Sequence, residues 1–304
     1  MSLDRDNTPE FEPRSGHGEI YLGENLDVLA TLPSKSCDLI YIDPPFNTQK
    51  VQKRDRISVV RSETGTRSGF GDALYEVTKV VSPTYEDSFE DFIAFIKPRL
   101  LEAYRLLSDT GSLFLHIDYR EVHYVKVLLD TIFGRECFVN ELIWSYDYGG
   151  KPKNRWPAKH DNILWYVKDR EHYTFNYEAI DRIPYMAPDL VGPEKAERGK
   201  IPTDVWWMTI VPTNSKEKTG YPTQKPLKLL NRIINVHSNP GDTVLDFFAG
   251  SGTTGMAAAL SQRRFILVDN SRDAVKIIAD RLGFTSPKLV GFLQEENKCQ
   301  LSLL

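Results

Sequence analysis

The chain has 304 residues, with 38 Lys and Arg against 42 Asp and Glu, a formal charge of −4. A hydrophobic content of 41% and a charged content of 26% exclude wholesale disorder. The length suits one large α/β domain or two small ones, with no need of disulfide or metal staples. The three cysteines, Cys37, Cys137 and Cys299, are far apart and form no CxxC pair, and the six histidines show no metal-ligand spacing. No disulfide framework and no metal site are therefore expected. The polar, proline-containing start lacks the apolar core of a signal peptide, and no run of about 18 apolar residues follows. Neither secretion nor membrane insertion is expected. Slight acidity excludes a chain-wide cationic surface and leaves room for a local one.

Residues 1–17 read as a flexible lead-in. A short strand, GEIYLG, and a helical stretch, NLDVLATLPSKS, come next. CDLIYID is short, β-branched and aromatic and stops at two prolines, the pattern of a buried parallel strand ending at Asp43. From about Ser88 to Leu107, apolar residues at three- and four-residue steps predict a helix, with Pro98 its weak point. The strand SLFLHID, a helix from about Tyr119 to Phe133, and the strands VNELIWSY and NILWYVKD follow. Then come the helix PLKLLNRIINVHS, the strand TVLDFF, the helix GTTGMAAALSQ, the strand RFILVDNS and the helix RDAVKIIADRL.

This alternation predicts a doubly wound, mostly parallel sheet with helices on both faces. Residues 47–83 and about 147–220 break the rhythm, and long irregular insertions in compact domains are usually functional. In such sheets ligands bind outside the carboxyl ends of the strands. Asp43-Pro44-Pro45-Phe46 and Asp246-Phe247-Phe248-Ala249-Gly250 both end strands, so both are predicted to face one crevice.

The stretch Ala249-Gly250-Ser251-Gly252-Thr253-Thr254-Gly255 contains GxGxxG between a strand and a helix. Glycines allow the sharp turn and close approach of backbone to a ligand, and the helix start offers unpaired N–H groups. Asp269, at the end of the next strand, suits hydrogen bonds from ribose hydroxyls. A nucleoside-containing cofactor follows, either NAD or S-adenosylmethionine; no GK[ST] is present for a phosphate-binding loop.

The two prolines of Asp43-Pro44-Pro45-Phe46 lock φ and remove two N–H donors, leaving a rigid corner of acceptors with an aromatic ring beyond it. Such a corner suits an exocyclic amine. Asp43 and the Pro44 carbonyl could each accept one N–H of such an amine, with Phe46 placed to stack on a base. A base amine is a poor nucleophile because its lone pair is delocalised, and holding both hydrogens favours the pyramidal nitrogen and stabilises charge developing there.

In this order the two motifs resemble the β-class DNA amino-methyltransferases of restriction–modification systems. The resemblance runs from about Gly23 to Leu282 and takes in Gly23-Glu24-Asn25, NELIW, His160-Asp161, Asp204-Val205-Trp206 and Tyr221-Pro222-Thr223-Gln224-Lys225-Pro226. It implies a Rossmann-like methyltransferase fold with an inserted target-recognition region. The implied cofactor is S-adenosylmethionine, with direct, in-line transfer to a base flipped out of the duplex. Asp43, Pro44, Pro45 and Phe46 would be catalytic. Phe248, Ala249, Gly250 and Gly252 would line the cofactor pocket, with Asp246 and Ser251, Thr253 and Thr254 around its methionine end and Asp269 at the ribose. Thr223, Lys225 and Pro226 would complete it. Asp-Pro-Pro-Phe is the form typical of adenine-N6 enzymes; cytosine-N4 enzymes more often begin with serine and are the alternative. An NAD-dependent oxidoreductase, resting on the glycine turn, is the distant one. Glu24 departs from the family's usual Asp, which leaves its role open, as is that of His160.

The resemblance divides the chain into a catalytic half (18–146) with a mobile basic loop (47–83), a target-recognition region (147–207), a cofactor-binding half (208–285) and a tail (286–304). Lys50, Lys53, Arg54 and Arg56 in the loop and Lys151, Lys153 and Arg155 among aromatics in the second segment are the candidate DNA contacts. Double-stranded DNA is the expected partner, with a homodimer and a cognate restriction endonuclease by analogy, in prokaryotic, nucleoid-associated cytoplasm.

Overall fold

A computed structural model describes residues 18–46 and 91–291, with backbone strands at 50–53, 56–61, 67–68, 74–80 and 84–87. Strand β1 (Gly18–Leu22), helix α1 (Asn25–Thr31) and strand β2 (Cys37–Ile42) open the fold. Short strands β3 (Lys50–Lys53), β4 (Arg56–Arg61), β5 (Arg67–Ser68), β6 (Leu74–Val80) and β7 (Thr84–Asp87) follow. Next come α2 (Phe92–Leu106), β8 (Leu107–Ile117), α3 (Val122–Phe133), β9 (Phe138–Ser145) and β10 (His160–Val167). The chain continues with α4 (Pro193–Arg198), β11 (Val205–Trp207), α5 (Leu227–His237) and β12 (Thr243–Asp246). It closes with α6 (Thr253–Leu260), β13 (Arg264–Asp269), α7 (Arg272–Leu282) and β14 (Lys288–Val290).

Nine strands form one sheet in the order β11-β9-β10-β8-β2-β12-β13-β1-β14. β10 is antiparallel to both its neighbours and the other pairings are parallel, so the sheet is mixed and mostly parallel, as expected. Its centre is apolar on both faces. Leu39, Ile40, Ile42, Leu113, Leu115, Val244, Leu245 and Leu267 are fully buried, which accounts for the unbroken hydrophobic runs in these strands. Helices α1, α2 and α3 pack as one group and α5, α6 and α7 as another. Helix α2 is capped by Asp91, whose side chain accepts from the Ala94 N–H at 2.9 Å, and it runs on through Pro98. Arg99 bonds back to the carbonyl of Phe95 at 2.6 Å, beside the turn that proline weakens.

β2 and β12 lie side by side, with Leu39 opposite Val244 and Ile40 opposite Leu245. From β2 the sheet is built outward to β8 on one side, and from β12 to β13 on the other. The order reverses between them, which opens a crevice at their carboxyl ends.

Strand pairing reaches three segments drawn from the sequence as loop, tail and recognition region. The segment drawn as a basic loop carries β3, which pairs with β7 just beyond it, and a β4-β6-β5 sheet. Its β-branched runs, Ile57-Ser58-Val59-Val60 and Val77-Thr78, favour extended pairing over a loop. The tail drawn from residue 286 supplies β14, which extends the sheet beside β1. The target-recognition segment ends in β11 on the opposite edge, where Trp206 is buried and Trp207 exposed.

Candidate active site

The carboxyl ends of β2 and β12 form the floor of a cleft of about 590 Å³. Asp43, Pro44, Pro45 and Phe46 line it from one strand, and Asp246, Phe248, Ala249, Gly250, Ser251, Thr253 and Thr254 from the other. Asp269, at the end of β13, and Thr223 and Lys225, before α5, complete the wall. Gly252 and Pro226 do not line it. Gly252 has φ +71°, and a Cβ there would lie 3.1 Å from Ile278, so glycine is what makes the turn possible. Pro226 caps the start of α5.

Asp43 is gripped on one side. Its Oδ2 forms an ion pair with the Lys225 ammonium, and its Oδ1 is buried with no hydrogen-bond partner among the described residues. A buried acceptor left unpaired is costly, so this oxygen is poised for a donor entering the cleft. Lys225 Nζ lies 5.2 Å from the centre of the Phe46 ring, which joins the TQKP segment to the Asp-Pro-Pro-Phe corner.

Two more carboxyls stand at the glycine turn. Asp246 accepts from the Thr254 hydroxyl at 2.6 Å and the Phe248 N–H at 3.0 Å. Burial raises its pKa to about 7, with Asp43 and Asp269 adding to the shift. Asp269 accepts from the N–H groups of Gly250 at 2.8 Å and Ser271 at 2.9 Å, and burial raises its pKa to about 6. Each of these oxygens accepts one of the bonds named, and a carboxylate oxygen has a second lone pair with which to accept another. The result is an acidic pocket that gains energy from binding cationic or hydroxyl-bearing groups.

Sequence reasoning missed Arg99 in the cleft wall and gave no place in it to Asn25 or Tyr221. Arg99 reaches from α2 to donate to Asn25 Oδ1 at 2.8 Å and to Glu24 Oε1 at 2.6 Å, while Asn25 donates to the Phe247 carbonyl at 3.2 Å. Glu24 is thereby fixed as an ion-pair partner in the cleft wall. Tyr221 packs against the turn, where a Cβ on Gly250 would lie 3.0 Å from its ring. An arginine on a helix gives no local signal of such a contact, but the motif Gly23-Glu24-Asn25 did point to the strand end it holds.

A second cleft, of about 510 Å³, lies at the carboxyl end of β8. Lys151 and Arg155 line it with Tyr119, Arg120, Tyr146 and His160, and Arg155 donates to the Tyr119 hydroxyl at 2.9 Å. Lys153 is exposed outside it. His160 and Asp161, a pair in sequence, separate on β10: His160 is half-buried at the second cleft, and Asp161 bonds inward to His116. Of the other candidate DNA contacts, Arg54 and the side chains of Lys50, Lys53 and Arg56 lie outside the described residues.

Comparison with known proteins agrees with this geometry. The family model N6_N4_Mtase, described as DNA methylase, matches residues 37–280. DNA adenine methyltransferase YhdJ of Escherichia coli is 32% identical over 277 residues, covering 87% of this chain and 82% of the relative. Type II methyltransferase M.HpaI of Haemophilus parainfluenzae is 30% identical over 257 residues, covering 84% and 71%. Among solved structures, the PvuII cytosine-N4-specific DNA methyltransferase shares the fold with a TM-score of 0.61 at 18% identity, covering 96% and 94%. M1.HpyAVI in complex with SAM gives 0.54 at 22%, covering 87% and 98%. A cleft built from the Asp-Pro-Pro-Phe corner and the glycine turn, on a chain matched over most of its length, settles the question of kinship: this protein belongs to the N6/N4 DNA methylase family.

Proposed function

We propose that the protein transfers a methyl group from S-adenosylmethionine to the N6 amine of adenine in double-stranded DNA. The observation that carries the proposal is the unpaired, buried Oδ1 of Asp43 at a corner of acceptors beside an aromatic ring. The cleft fits the cofactor: it has room for a nucleoside, two raised carboxyls that favour a cationic ligand, and a glycine turn that admits close approach. When bound, S-adenosylmethionine supplies an electrophilic methyl on a sulfonium.

The chain's own residues do the rest. Asp43 Oδ1 and the Pro44 carbonyl accept the two N–H bonds of the target amine, and Phe46 supports the base. Asp246 and Asp269 hold cofactor groups through their spare lone pairs. The amine is out of reach inside a duplex, so the base is flipped into the cleft at a cost of a few kcal/mol. Lys151 and Arg155, at the second cleft, neutralise phosphates beside it.

The adenine assignment rests on aspartate in the first position of the tetrapeptide and on the adenine enzyme among the relatives. A homodimer, a cognate endonuclease and a nucleoid location belong to the same proposal. No helix among the described residues is long and apolar enough to cross a membrane. Nucleoside mass spectrometry of DNA incubated with the protein and S-adenosylmethionine tests the assignment: N6-methyladenine is expected, and N4-methylcytosine would reverse it.

A further inference from the structure

Behind Phe46 lies a buried polar chain to which the proposed transfer assigns no role. His116 on β8 is fully buried, and its ring stacks on Phe46 at 5.8 Å between centroids and 26° between planes. Both of its nitrogens are engaged: Nδ1 with the Tyr41 hydroxyl at 2.7 Å and Nε2 with Asp161 Oδ2 at 3.2 Å. The indole of Trp144 meets the imidazole edge-on at 5.5 Å. Asp161 Oδ1 accepts from the Tyr146 hydroxyl at 3.0 Å, and Tyr146 lines the second cleft.

Hydrogen bonds at opposite edges of an imidazole leave it no freedom to tilt. A ring packed only for its volume would be served by leucine, without two buried polar partners to satisfy. The imidazole is therefore a fixed surface against which Phe46 lies, and the tilt of Phe46 sets where a stacked base presents its amine to Asp43. We propose that His116, clamped by Tyr41 and Asp161, is a positioning residue that sets the plane of Phe46 and so the placement of the target amine. Tyr146 extends the clamp to the second cleft, so DNA seated there bears on the same ring. The inference rests on the DNA-methylation proposal.

The test uses full-length protein and a duplex carrying 2-aminopurine at the target position, the site being mapped first by sequencing methylated DNA. Fluorescence decays are read with and without S-adenosylmethionine, beside steady-state methylation of unlabelled duplex. His116→Leu and Asp161→Ala are expected to lower kcat at least tenfold while KM for S-adenosylmethionine stays within twofold. In both, the stacked, short-lived emission should give way to a longer-lived component. Tyr146→Phe should move the decay the same way by less, and His116→Asn, which keeps a planar polar group near Tyr41, should recover part of the rate. A folded His116→Leu or Asp161→Ala protein with unchanged kcat and decays overturns the inference. Should His116→Leu fail to fold, Asp161→Ala and Tyr146→Phe decide it. If wild-type protein methylates no DNA, the underlying proposal fails; active wild type with unaffected variants refutes the positioning role alone.

Discussion

The Lys225 ammonium is paired with the Asp43 carboxylate across 182 residues of sequence, and both side chains are largely buried, at 8% and 18% exposure. The pair ties the segment before α5 to the end of β2 and neutralises Asp43 on one oxygen while leaving the other open. Removing one member of such a pair strands its partner's charge. Lys225→Met should therefore destabilise the free protein by about 3 kcal/mol. S-adenosylmethionine, as a cation, should raise the melting temperature more in this variant than in wild type. Thermal melts with and without the cofactor measure both effects.

Asp246 and Asp269, with pKa values raised to about 7 and about 6, predict a pH dependence. In the unfolded chain these carboxyls titrate near 3.9, so between roughly pH 4 and 7 the folded protein holds protons that the unfolded chain has lost. Their contribution to stability is present below about pH 4 and falls as pH rises through 6 and 7. A cationic ligand favours the ionised forms, so its affinity should rise over the same interval with release of protons. Calorimetric titrations of S-adenosylmethionine in buffers of different ionisation enthalpy, from pH 5 to 8, count those protons.

Gly252 is required by backbone geometry. At φ +71° an alanine is strained, and its Cβ would press on Ile278 at 3.1 Å. Gly252→Ala should cost about 1–3 kcal/mol. Denaturant unfolding of the free protein reads this directly, apart from any effect on catalysis.

Much of this site is legible in the sequence because its parts are local. The proline pair after CDLIYI stops a strand, the glycines after TVLDFF turn one, and neighbouring strand ends share a crevice. Contacts between distant segments are different. Nothing near Arg99 announces that it spans to Asn25 and Glu24, and nothing near His116 that it lies behind Phe46. β14 and β11 are three residues each, too short for a periodic signal, and they exist through pairing with sheet edges. Within 47–83 the basic residues, with Ser, Thr and Gly between them, read as a loop and mask the short β-branched runs of the strands there.

Arg155 gives a prediction for DNA binding. It lines the second cleft and is steadied by Tyr119, so Arg155→Ala should weaken binding to all duplexes alike. The slope of log affinity against log salt should shrink by about 1, the signature of one lost phosphate contact. Titrations at several salt concentrations, with S-adenosylmethionine affinity as the control, check it.

The role given to Asp43 is tested most directly by Asp43→Asn under single-turnover conditions, with S-adenosylmethionine and DNA both saturating. An amide cannot offer the unpaired oxygen and the negative charge together. The rate of methyl transfer should fall about 100-fold or more, the scale of losing one electrostatic stabiliser. Transfer at the wild-type rate would contradict the account.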